Sequence, residues 1–287
     1  MSKKYLFALV PLVLIAVALA GYKLLILDRN KSELDERWVN SNEDSTEIID
    51  HSNWQAILDD YLVADTDSGV NLFDYGGLLD DGREALDEYV SSLTASDPLL
   101  FSRSEQKAFW INLYNAATVA LILDNYPLTS ITNVKGEVGS FGPWDNDAVT
   151  VNGINLSLND IEHRIIRPLY NDYRIHFAVN CASIGCPNLA TEAFTAANMD
   201  QQLDAAAAEY LNHPRGLQLE SDQLQLSSLF KWYAADFGTN QQEVLDTLGR
   251  HINTDVKSAL SQYNGSPGYE YDWGLNGYCS IDNECGI

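Results

Sequence analysis

Basic residues are scarce in this 287-residue chain: 17 Lys and Arg stand against 41 Asp and Glu, a formal charge of −24 at pH 7. A surface that acidic repels phosphate backbones and anionic lipid headgroups, which argues against nucleic acid as a partner. Cysteine is limited to Cys181, Cys186, Cys279 and Cys285. The chain has no Walker loop, no dinucleotide fingerprint, no Gly-x-Ser-x-Gly elbow and no His-Glu-x-x-His pair. Those absences argue against the usual nucleotide enzymes, serine hydrolases and zinc proteases, and no cofactor is implied. Internal repeats and low-complexity blocks are missing too. Apolar mass is not: 46% of residues are hydrophobic and 10% aromatic, enough to offset chain ordering and exclude a disordered chain. The length suits one large domain with terminal extensions, or two small ones.

A single long hydrophobic run opens the chain. Lys3 and Lys4 precede apolar residues from Tyr5 to Tyr22, interrupted by Pro11. Positive charge before such a run predicts that the rest of the chain crosses a membrane. Ala18-Leu19-Ala20 suits cleavage by a signal peptidase, whereas Leu24 to Leu27 extends the run past Lys23 to bilayer-spanning length. Residues 1–27 are therefore expected to be a signal-anchor or a signal peptide. The expected location is extracytoplasmic, on the periplasmic side, tethered to the inner membrane by one span; the alternative is secretion after cleavage near Ala20. Residues 28–47 read as a polar, acidic linker, 48–275 as a globular domain and 276–287 as a Cys-containing tail. Cys279 and Cys285 would staple that tail if paired.

Along the domain, helical spacing recurs over 49–62 and 85–93. Ser102 with Glu105 fits a capping box for a helix that is apolar nearly all round from Ala108 to Leu123, hence central and buried. Residues 148–156 read as a hairpin on an Asn152-Gly153 turn, and 217–226 as a second hairpin. Ser157 with Asp160 predicts a helix to about Arg167, residues 174–180 a strand, and Thr195 the start of a helix to about Asn212. Three more helices follow near 229–237, 241–249 and 254–263. Helices and hairpins come mixed rather than as repeated βαβ units, so the class is α+β: a helix-rich single domain with a central buried helix and small antiparallel sheets.

Three polar clusters sit in apolar surroundings. Asn112, Asn115 and Thr118 form a stripe on the central helix, and they either satisfy neighbouring backbone or line a cleft. Glu162 falls at the margin of its helix's apolar face, with His163 and Arg167 turned to the other side; a carboxylate there needs a partner or a task. On the predicted strand, Cys181 points away from His176, while the turn at 182–185 frees Cys186 to swing back over it. A thiol beside an imidazole is how proteins make a thiolate nucleophile. A Cys181–Cys186 disulfide and two plain structural thiols are competing readings. Cys-x4-Cys with one nearby His falls short of a zinc signature, so no metal site is assigned.

The series Ala108-Phe109-Trp110-Ile111-Asn112-Leu113-Tyr114-Asn115-Ala116, Tyr126-Pro127, Ile161-Glu162-His163, Arg167-Pro168, His176-Phe177, Cys181, Cys186-Pro187 and Tyr271-Asp272-Trp273 resembles the domain-of-unknown-function family 547, in an exported, bacterial-type form. The likeness runs from about Trp54 to Trp273. It implies that the Asn stripe, Glu162-His163, His176 and Cys181 and Cys186 belong to the family's hallmark pattern, and it supplies no reaction.

Two functions compete. One is a cysteine-dependent hydrolase or acyl-transferase of the cell envelope. Cys186 attacks a carbonyl, His176 takes its proton, and Glu162 or Asn115 orients the imidazole; Asn112, His163, Arg167 and Cys181 bind or orient substrate. The other is a non-catalytic envelope module that binds a protein or glycan, with Cys181–Cys186 a structural disulfide. Its expected partners are an unknown envelope substrate or protein and the membrane, through the N-terminal helix.

Overall fold

A computed structural model describes residues 32–64, 66–136 and 142–278. The hydroxyl of Ser102 accepts from the Glu105 amide, so the capping box does start a helix, over Arg103–Leu123. Every residue from Glu105 to Val119 on it is buried, as an all-round apolar sequence requires. Numbering helices of eight residues or more, α1 is Ser52–Tyr61, α2 Arg83–Thr94, α3 this central helix, α4 Met199–Leu211, α5 Gln241–Leu248 and α6 Thr254–Ser261.

The strands are short and form three small sheets. β1 (Leu62–Val63) pairs antiparallel with β2 (Leu72–Phe73), and β3 (Asp147–Val151) with β4 (Ile154–Ser157). The β3–β4 turn has Asn152 at φ 50° and Gly153 at φ 74°, the left-handed pair that a tight hairpin of this kind needs. β5 (Leu217–Glu220) pairs antiparallel with β6 (Gln223–Ser227), and β7 (Gly268–Glu270) joins β6 in parallel. The class is α+β in a single domain.

Two apolar cores share the interior. The larger surrounds α3; the smaller gathers Phe177, Tyr210, Phe230, Phe237 and Leu248. Ile175 belongs to the first and Phe177 to the second, so His176 between them sits at the seam.

Two local predictions change. Residues Tyr173–Phe177 form a 3-10 helix rather than a strand, because the Asp172 carboxylate caps them by accepting from the Arg174 amide. Asp160–Ile166 is a π-helix, which turns each residue by less than an α-helix does. His163 and Arg167, expected on a polar outer face, are buried at 4% and 6% exposure. Within residues 28–47, read from composition as linker, Asp35 and Trp38 are buried: Glu33 and Asp35 donate backbone hydrogen bonds to the His163 and Arg164 carbonyls, and Trp38 meets Trp110 edge-on at 5.0 Å.

The membrane expectation is corrected. Among the described residues no helix is long and apolar enough to cross a membrane. The longest, α3, carries Arg103, Glu105, Lys107, Asn112 and Asn115 and is enclosed by the domain's own core. The 1–27 segment that was to act as tether lies outside the described residues, as do Cys279 and Cys285. Neither tethering nor a periplasmic location is carried forward.

Candidate functional site

The Asn stripe on α3 is met by backbone. The Asn112 amide donates to the Phe194 carbonyl at 2.7 Å and its oxygen accepts from the Phe194 amide at 3.1 Å. Asn115 does the same across two residues, donating to the Ala178 carbonyl and accepting from the Asn180 amide, each at 2.9 Å. Thr118 bonds the Tyr114 carbonyl at 2.8 Å. Asn115 thus fastens the segment between His176 and Cys181 to the central helix, Asn112 fastens the chain at Phe194, Thr118 bonds within the helix itself, and Asn115 is not bonded to the imidazole.

Glu162 is the centre of the second cluster. It is 5% exposed, accepts from the Tyr114 hydroxyl at 3.2 Å, and lies 3.6 Å from His163 Nδ1 and 3.8 Å from His176 Nδ1. Burial first, and the Glu162 charge next, push the Tyr114 and Tyr233 phenols well above their usual range, so Tyr114 remains a donor to this carboxylate. His163 is pushed down, by burial and then, against the pull of Glu162, by Arg167 and His176. It is therefore neutral, and its Nδ1 accepts from Arg167 Nη1 at 3.2 Å.

His176 stacks on Tyr233 with ring centroids 4.3 Å apart, and its Nε2 bonds Asp236 at 2.6 Å. Asp236 also takes a two-pronged bond from Arg167, at 2.6 and 3.0 Å. Burial alone would raise the Asp236 pKa, but the His176 and Arg167 hydrogen bonds outweigh it and hold the carboxyl well below its usual range. Asp236, Tyr233 and Tyr114 were missed from sequence. Tyr114 stood inside the motif on α3; Asp236 and Tyr233 lie some sixty residues downstream of His176, and only the fold brings them in.

The cysteines are joined. Cys181 and Cys186 form a disulfide across a loop five residues apart in sequence, and no cysteine among the described residues is free. Cys186 is 3% exposed and Cys181 partly exposed. The Tyr271 hydroxyl lies 3.1 Å from each sulfur and 3.1 Å from the Ser183 hydroxyl. Among the described residues no hydrogen bond links His176 to Cys186; the imidazole is engaged by Asp236 instead. Burial first, and then Tyr210, push the Tyr271 phenol up, with the Ser183 hydrogen bond opposing.

Above this polar band lies an aromatic group. Trp232 and Trp273 are stacked at 5.5 Å and 27°, Tyr271 lies 4.6 Å from Trp273 and 4.9 Å from Trp232, and Trp144 lies 5.5 Å from Trp273. All four residues are half-buried. Among the described residues no three His, Cys, Asp or Glu side chains are arranged to hold a metal ion.

Comparison with known proteins adds one match. The family described as "Protein of unknown function, DUF547" matches residues 98–211, a stretch holding α3, Glu162, His163, Arg167, His176 and both described cysteines. No curated protein and no solved structure matches the chain.

Proposed function

We propose, from the premise that residues 98–211 belong to the family of unknown function DUF547, that this domain is a binding module rather than a cysteine hydrolase. One observation carries the choice: the Cys186 sulfur is bonded to Cys181, and the imidazole that would activate it is bonded to Asp236. A sulfur in a disulfide has no lone thiolate to attack a carbonyl.

The recognition surface in this reading is the half-buried ring group of Trp144, Trp232, Tyr271 and Trp273. Stacked indoles offer flat apolar faces of the kind that pack against sugar rings, and the strong negative charge of the chain disfavours anionic ligands. A neutral glycan is the ligand class this combination fits. The test is tryptophan fluorescence and thermal stability of the purified chain against a panel of neutral oligosaccharides. The reading expects saturable quenching that Trp273→Ala removes. Cys186→Ala should lower stability by about 2 kcal/mol, the loop-closure value for so short a ring, without releasing any hydrolytic activity. No response to any glycan, together with a free Cys186 thiol that is acylated by activated esters, would return the site to the hydrolase reading.

A further inference from the structure

We propose that the Cys181–Cys186 disulfide is an exchange site, at which a small thiol attacks Cys181 and Cys186 departs as a held thiolate. The inference goes beyond glycan binding and does not depend on it.

The environment of the sulfurs carries the argument. Cys186 Sγ accepts the Cys181 backbone N–H at 2.9 Å and the Tyr271 hydroxyl at 3.1 Å. Cys181 Sγ has the Ser183 and Tyr271 hydroxyls at 3.2 and 3.1 Å. Disulfide sulfur is a weak acceptor, so donors aimed at it contribute little while the bond is intact. They contribute far more to a sulfur that bears a negative charge. Tyr271 stays protonated, and so remains a donor, because burial pushes its phenol up.

The donors are also fixed in place. Between the cysteines, the Ile184 amide bonds the Gly274 carbonyl at 2.7 Å and the Gly185 amide bonds the Asp272 carbonyl at 2.8 Å. The half-buried Arg215 guanidinium donates to the Ile184 carbonyl at 3.1 Å and so sets a positive charge against the loop. Ala182 is held at φ 57°, its amide bonded to Asn180 Oδ1 at 2.8 Å, a left-handed conformation that costs an alanine about 1 kcal/mol. Backbone strain beside a reactive group is a recurring feature of functional loops.

Cys181 is the more exposed residue of the two, and its sulfur is the one attacked. A thiolate RS⁻ forms a bond to Cys181 Sγ as the Cys181–Cys186 bond breaks, and the bonding pair leaves on Cys186 Sγ, where the Cys181 N–H and Tyr271 O–H receive it. A second RS⁻ attacks the R–S sulfur of the mixed disulfide, releasing RSSR and the Cys181 thiolate, which takes a proton from solvent. Two thiols of the glutathione class are oxidised to one disulfide and the protein pair is reduced. The reverse sequence restores it.

The experiment equilibrates the full chain across glutathione redox buffers, quenches by alkylation, and scores the Cys181 and Cys186 peptides by mass spectrometry. The proposal expects the pair to be half reduced within the glutathione range. In Tyr271→Phe the reduction equilibrium constant should fall about tenfold, about 30 mV, because one hydrogen bond to the thiolate is lost. A pair that stays oxidised throughout and yields only to excess dithiothreitol overturns the proposal. Should the variant fold poorly, the wild-type dithiol provides a second reading: the alkylation rate of Cys186 against pH. A midpoint well below about 8.5 supports a held thiolate, and one at or above it refutes it.

Discussion

Asp236→Ala tests the electrostatic frame of the site. Wild-type Asp236 accepts three hydrogen bonds, two from Arg167 and one from His176, at 2.6 to 3.0 Å. Its side chain is 21% exposed, whereas that of Arg167 is 3% exposed, so removal leaves a guanidinium in the interior without its carboxylate. Breaking a buried pair from one side costs about 3–5 kcal/mol. Arg167 retains the Tyr233 ring at 4.9 Å and His163 Nδ1 at 3.2 Å, and the opening at Asp236 admits water, which together place the loss at the low end, about 3 kcal/mol. For a domain of this size that is roughly 6–12 °C in Tm.

Urea unfolding at pH 7 of the wild type, Asp236→Ala, Arg167→Met and the double variant measures the pair directly. The double variant should recover about 2 kcal/mol relative to the sum of the single losses. The pH dependence has a definite sign. Because the folded carboxyl titrates below its unfolded value, its contribution is complete above about pH 4 and is lost as pH falls from there through its folded pKa. The gap between wild type and Asp236→Ala should therefore narrow below about pH 4. A loss under about 1 kcal/mol, or strict additivity in the double variant, would refute the pairing.

Asn115→Ala leaves the Ala178 carbonyl and the Asn180 amide without partners in the interior and should cost about 2–4 kcal/mol by urea unfolding, while Asn125→Ala, at an exposed site, should change little. Burial pushes His51 down to about 4, so its folded form resists protonation; wild-type stability should fall by about 3 kcal/mol on acidification between about pH 6.5 and 4, a share absent from His51→Phe. The His51 ring resonances should stay unshifted by NMR until pH drops below about 5. Gly185→Ala would set a methyl 2.8 Å from the Asp272 backbone nitrogen and oxygen, and overpacking of that kind costs about 1–3 kcal/mol; protease nicking near 271–276 should rise with it, because the loop and tail are docked through Gly185.

The parts of the fold written in the sequence are those decided within a turn or two of chain. Ser102 with Glu105, the Asn152-Gly153 turn and the apolar run of α3 each specify their structure locally, and each appears where the sequence places it. The segments around the site were misread for a common reason: their conformations are set from outside. The alternating pattern of 174–180 resembles a strand, yet Asp172 draws Arg174 and Lys107 together and tightens the chain into a 3-10 turn. Burial pushes that carboxyl up, but the Arg174 and Lys107 bonds outweigh it and pull it down to about 2. Face arithmetic at 3.6 residues per turn likewise failed at His163 and Arg167, because a π-helix presents them inward beneath Tyr233 and Asp236.

The same distinction explains why the chemical types were legible while the pairings were not. Glu162, His176 and Cys186 stand out in sequence because charge, imidazole and thiol are conspicuous among apolar neighbours. What each does is decided by the group it meets. His176 meets a carboxylate sixty positions away, and Cys186 meets a phenol eighty-five positions away as well as its bridged neighbour. The expected strand followed by a turn at 182–185 would have let Cys186 swing back over His176. The 3-10 turn and the left-handed Ala182 instead turn the loop toward the C-terminal aromatic segment, where Ser183 pairs with Leu275. The imidazole and the sulfur pair thus take separate partners, Asp236 for the one and Tyr271 for the other.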